Sequence, residues 1–119
     1  MKRIASLAAV LAVAAVSVFA VTAYAGSDQA TATSVTVTIK NFHFTLSKKS
    51  AKHGKVTFKV TNKDSIKHDF KIAGKKTPLL GKNKSASITV TLAKGKKYTY
   101  ICTVPGHAAA GMKGTFKAT

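Results

Sequence analysis

The residues best equipped for chemistry lie in one stretch, Cys102-Thr103-Val104-Pro105-Gly106-His107-Ala108-Ala109-Ala110-Gly111-Met112, which spells Cys-x4-His-x4-Met. Cys102 closes one alternating pattern and Met112 opens the last one. Pro105-Gly106 between them is a turn signal, with φ preset at Pro and positive φ inexpensive at Gly. A turn there carries His107 back toward Cys102. The small Ala108–Gly111 run lets the loop fold compactly and return Met112 to the same place. A fourth donor comes from Ile66-Lys67-His68-Asp69-Phe70-Lys71-Ile72. His68 shares the parity of Phe70 and Ile72, the apolar face, whereas Lys67, Asp69 and Lys71 take the other face. Two imidazoles, a thiolate and a thioether make a trigonal His2Cys set with a weak axial Met, the donor set of a blue-copper electron-transfer site. The expected cofactor is one copper ion cycling between Cu(I) and Cu(II), held by His68, Cys102, His107 and Met112.

Elements that could hold these residues follow from a period of two. Val35, Val37 and Ile39 alternate with Thr36, Thr38 and Lys40. Val56, Phe58 and Val60 alternate with Thr57 and Lys59, and Ile88, Val90 and Leu92 alternate with Thr89 and Thr91. Tyr98, Tyr100 and Cys102 share one face, and Met112, Phe116 and Ala118 share another. These are half-buried strands rich in β-branched and aromatic residues. Turn signals separate them at Lys52-His53-Gly54, Asn62-Lys63-Asp64-Ser65, Gly81-Lys82-Asn83 and Lys94-Gly95-Lys96. Short strands about ten residues apart predict an all-β antiparallel sandwich or barrel. His43, with the parity of Val35, Val37 and Ile39, is expected as a packed or surface-tip residue, and His53 as a turn residue, neither with a metal role.

The N-terminus, Met1-Lys2-Arg3, is basic. Eighteen residues follow, Ile4 to Val21, in which only Ser6 and Ser17 are polar, and then Ala23-Tyr24-Ala25. This order reads as a secretory signal peptide over residues 1–25, cut after an A-x-A pattern. An uncleaved membrane anchor is the rival reading, because the apolar run approaches a minimal span. Residues 26–34 form a short polar lead-in, and 35–119 form one domain. The expected location is periplasmic or extracellular, at the cell surface.

Composition narrows the function. The 119 residues carry 20 Lys plus Arg against 3 Asp plus Glu, a formal net charge of +17, with a single Cys. Loss of Lys2 and Arg3 with the leader takes that charge to +15. One Cys excludes an internal disulfide framework and a zinc ribbon or finger. Three acidic residues leave little choice for paired-carboxylate catalysis. With four protein donors no position is open to a substrate, so the chain is not expected to be an enzyme. A copper storage or delivery protein is the alternative, but such a role calls for several Cys and Met donors. A basic module for nucleic acid would leave the Cys–His–Met loop unexplained.

The chain resembles the cupredoxins, the small blue-copper proteins typified by plastocyanin and azurin, over essentially all of residues 35–119. The resemblance rests on the Asn41-Phe42-His43-Phe44 strand, the Gly54–Asn62 strand, the His68 strand and the Cys102–Met112 loop, which come in the family's order. It implies a Greek-key β-sandwich and one-electron transfer between larger redox partners. It also implies that His107 reaches the surface as the electron's exit edge, within an apolar patch. The Cys–His gap of four resembles azurin and the His–Met gap of four resembles plastocyanin. Asp69 stands where the family often has Asn, and the backbone N–H at that position often bonds the Cys sulfur in relatives. The strongly basic charge predicts a redox protein partner with an acidic patch, no nucleic acid, and a monomer; transient contact with an anionic membrane surface is compatible with the same charge.

Overall fold

The computed structural model describes residues 32–119; the expected leader over 1–25 and most of the lead-in over 26–34 lie outside the described residues. The strands are β1 (Thr33–Lys40), β2 (His43–Leu46), β3 (Ser50–Ala51), β4 (Gly54–Asn62), β5 (Lys71–Ile72), β6 (Lys75–Lys76), β7 (Ser85–Leu92), β8 (Lys97–Ile101) and β9 (Lys113–Ala118). They form two sheets, ordered β2-β1-β4-β7 and β3-β9-β8-β5-β6. The fold is the expected all-β sandwich. Its pairing is mixed, however: β1 runs parallel to β4, and β3 runs parallel to β9. In both cases other strands intervene in sequence, which parallel pairing requires because a tight hairpin reverses the chain. No helix among the described residues is long and apolar enough to cross a membrane.

The alternating residues meet between the sheets. Val35, Val37 and Ile39 of β1 and Val56, Phe58 and Val60 of β4 are fully buried, against Phe70, Ile72, Tyr100 and Phe116 from the other sheet. Aromatic rings bridge the layers: Phe58 lies 5.4 Å from Phe70 and 5.1 Å from Phe116, centroid to centroid. Each such buried side chain contributes about 1.5–3 kcal/mol relative to exposure. Every described lysine is exposed, on outward strand positions or in turns.

Three neighbouring strands set up one end of the second sheet. Ile72 pairs with Tyr100, and Ile101 pairs with Lys113, both antiparallel. The start of β5, the end of β8 and the start of β9 therefore lie side by side. His68, Cys102 and Met112 sit just beyond those three ends.

Two local expectations need correction. Only Lys71–Ile72 of the His68 segment is regular strand; His68 joins the structure through a single bridge to Leu80. Its inward direction holds, but Asp69 does not face solvent and is 2% exposed. The outward side of the chain is covered there by Thr103, whose N–H donates to Asp69 Oδ1 at 2.6 Å. The parity of His43 with Val35, Val37 and Ile39 does not hold, and it takes the surface-tip place of the two expected. The reason is a two-residue turn at Asn41 and Phe42, both with positive φ (52° and 59°), which restarts the alternation. Ile39 then pairs with Phe44 facing inward, and Lys40 with His43 facing out.

Candidate metal centre

The Cys102–Met112 loop is a series of tight turns. The His107 N–H donates to Val104 O at 3.0 Å across Pro105 and Gly106, and Gly106 has φ 85°. That is the turn the Pro-Gly pair predicts, with Gly supplying the positive φ at its third position. The Met112 N–H donates to His107 O (3.1 Å) and the Cys102 N–H to Met112 O (3.1 Å), so the base of the loop is zipped shut. Gly111, φ 115°, makes the last reversal before Met112.

These turns bring three of the four expected donors together. One ligand atom from each of His68, Cys102 and His107 lies within 4.8 Å of the other two. His68 Nδ1 is 3.0 Å from His107 Nδ1, and Cys102 Sγ is 3.5 Å from His107 Nδ1. His68 and Cys102 are buried, and His107 is half-buried and outermost of the three. Met112 is buried next to them in the chain path, tied to Cys102 and His107 through its backbone. His43 and His53 are not among the three converging donors.

The surroundings suit a thiolate bound to a metal. Burial pushes the Cys102 thiol up, and the nearby Asp69 carboxylate adds to the rise. Against this, the backbone N–H groups of Asp69 and Val104 hydrogen-bond the sulfur and favour its charged form. A cation is the remaining element that would stabilise a thiolate in this buried position. A soft sulfur beside two imidazoles matches copper in both oxidation states, whereas an oxygen-loving ion would find no carboxylate among the three converging donors. The residues present therefore fit one copper ion.

Several supporting residues were not marked in the sequence as part of the site. Asn62 is fully buried; its Nδ2 donates to Ile66 O at 2.9 Å and Leu80 O at 2.6 Å, and its Oδ1 accepts the Asp64 N–H at 2.9 Å. Asp64 Oδ2 lies 2.9 Å from His68 Nε2, on the side of the ring away from His107. Desolvation alone would push the Asp64 carboxyl up, but the backbone N–H groups of Phe42 and Asn41 and the His68 ring outweigh it and hold it low. Phe42 packs edge-on to both imidazoles, 5.1 Å from His68 and 4.9 Å from His107. A signal was present: two of the chain's three acidic residues stand four before and one after His68.

Comparison with known proteins agrees with this architecture. A 43-residue stretch is 46% identical to auracyanin-B of Chloroflexus aurantiacus, covering 36% of this chain and 18% of that protein, so the alignment spans less than a fifth of the relative. A solved structure of auracyanin B superposes with a TM-score of 0.67 at 23% identity, over 77% of this chain and 92% of the other. Auracyanin A, described as a "blue" copper protein from the same species, superposes with a TM-score of 0.63 at 18% identity, over 75% and 100% of the two chains. At those identities the superpositions speak for the fold. The sequence profile of the Cupredoxin-like domain matches residues 9–115. That match begins before β1 and ends inside β9, so the chain belongs to the cupredoxin-like family.

Proposed function

We propose that this protein is an exported electron carrier holding one copper ion through His68, Cys102, His107 and Met112. The observation that carries the reading is the convergence of His68, Cys102 and His107, from separate segments, at one end of the sandwich. When bound, copper supplies a one-electron couple between Cu(I) and Cu(II). The chain's own residues do the rest. Cys102 offers a thiolate supported by two backbone N–H groups. His68 would offer a buried imidazole, and Met112 would complete the set with a weakly binding thioether. His107, half-buried at the edge of the cluster, is the route by which an electron reaches a partner. Exposed Pro105, Gly106, Ala109 and Ala110 surround it in the loop with small and apolar surface. Residues 1–25 act as the export signal, 26–34 as a lead-in and 35–119 as the working domain, which acts as a monomer on a partner with an acidic patch.

Visible absorption of the copper-loaded protein tests the assignment. The wild type is expected to show an intense thiolate-to-copper band and a reversible one-electron couple. Cys102→Ser removes the band while the sandwich stays folded by circular dichroism. Persistence of the band in that variant would overturn the ligand set, and a colourless, tightly held Cu(I) would favour storage.

A further inference from the structure

The Asp64 carboxylate makes three contacts that no other acidic group of the described chain makes. Its Oδ1 accepts the Asn41 N–H at 2.6 Å, and its Oδ2 accepts the Phe42 N–H at 3.0 Å. The same Oδ2 lies 2.9 Å from Nε2 of the fully buried His68. Asn41 and Phe42 both hold left-handed backbone, φ 52° and 59°. Asn tolerates that region, but a bulky aromatic residue there is strained. Two successive N–H groups in this conformation form a concave anion-binding nest, and the Asp64 carboxylate occupies it. Phe42, held there, lies against both imidazoles. Asn62 in turn fixes Asp64 by accepting its N–H.

We propose that Asp64 is the positioning residue of this centre: one carboxylate fixes the His68 tautomer that presents Nδ1 to the other donors and clamps the Asn41–Phe42 turn that lays Phe42 over both histidines. A carboxylate accepts and does not donate, so the neutral His68 ring carries its proton on Nε2. Nδ1 is then free of its proton and faces the other donors, 3.0 Å from His107 Nδ1. Phe42 is positioned by the same group, so ring orientation and ring cover are coupled.

The proposal rests on the reading of His68 as a ligand, but its first test does not. Nitrogen-resolved NMR of the histidine rings in the metal-free, full-length wild type at neutral pH should find the His68 proton on Nε2. A proton on Nδ1 overturns the proposal whatever the protein binds. Asp64→Ala should lose that tautomer preference and weaken Cu(II) binding about 10–100-fold, the usual cost of losing such a partner. Asp64→Glu, which keeps a carboxylate, should recover much of both. Gly95→Ala serves as a stability control at the far end of the sandwich: Gly95 has φ 81° with open space around it, so the change costs stability without touching the site. If Asp64→Ala only lowers the melting temperature, as Gly95→Ala does, with tautomer and Cu(II) affinity kept within about threefold, Asp64 is a turn cap and nothing more. Absence of Cu(II) binding by the wild type would defeat the ligand reading and leave the tautomer measurement standing.

Discussion

A buried carboxylate one residue from a proposed ligand would set the charge against which an electron is gained. Asp69 is 2% exposed and receives the Thr103 N–H, so it braces the segment that follows Cys102. Its nearest cation, Lys76 Nζ at 4.0 Å, is itself half exposed and neutralises it incompletely. A negative charge in a low-dielectric position favours the more positive, oxidised state of a neighbouring centre. Asp69→Asn should therefore raise the reduction potential. The fold should survive, because the amide oxygen can still accept the Thr103 N–H, and the amide nitrogen can donate to the Thr103 hydroxyl. Voltammetry of the two copper-loaded proteins decides the point: an unchanged or lowered potential would mean that Lys76 and solvent already cancel the carboxylate. The convergence of Cys102 and His107 was legible because their residue types are rare in this chain and their spacing is tied to a Pro-Gly turn, and that of His68 because it shares the parity of Phe70 and Ile72. Asp69 was misread because parity assigns a face and not what covers it, and Thr103 covers the outward side there.

The strand ends carry the site, so defects in strand packing should reach it. Gly114 of β9 faces Tyr100 of β8 across the ladder, and the Tyr100 ring lies over the glycine. A Cβ at Gly114 would overlap the Tyr100 ring and its hydroxyl. Gly114→Ala must displace that ring, and such overpacking costs about 1–3 kcal/mol. Tyr100 stands two residues before Cys102, and Gly114 two after Met112, so the displacement should also perturb the visible band. Gly81→Ala is the matched comparison, since a Cβ there meets nothing within 4 Å. Urea unfolding should separate the two by at least about 1 kcal/mol; equal midpoints would show that Tyr100 repacks freely. The long strands were readable from alternation because each buries one face over many residues. The short β3 and β6 were not, since two residues carry no period, and β5 is the two-residue part of the longer His68 pattern that is regular strand. The Asn41–Phe42 turn was also hidden: the favoured two-residue hairpin turns use Asn-Gly or Asp-Gly, and Phe at the second position is outside that pattern. Its support comes from Asp64, more than twenty residues away, which no local reading can supply.

At the scale of the whole molecule, charge is the feature that the copper centre does not explain. The formal charge of +17 comes almost entirely from lysines, and those in the described residues are all exposed. A field of one sign over most of a small surface steers oppositely charged partners and can raise on-rates by about 10–10³-fold. It is screened over about 8 Å at physiological ionic strength. The surface around His107 is different in kind, since the loop exposes Pro105, Gly106, Ala109 and Ala110. Attraction and electron path would then be separate, with lysines at the edge and uncharged surface at the centre. Redox encounters of this sort bury under about 1,200 Å², so each edge charge weighs on the rate of meeting rather than on the lifetime of the complex. Lys113 is the natural probe. It is exposed at the start of β9, directly after Met112, and its neighbour across the ladder is Ile101. Lys113→Glu should slow electron transfer to an acidic redox protein several-fold at low salt while leaving the reduction potential nearly unchanged. The difference from wild type should shrink as salt rises, because screening removes the steering from both. Stopped-flow measurements across a salt series, with partners of differing net charge, test this. Rates that stay flat with every acidic partner would mean that the lysines serve solubility alone and that recognition resides in the loop.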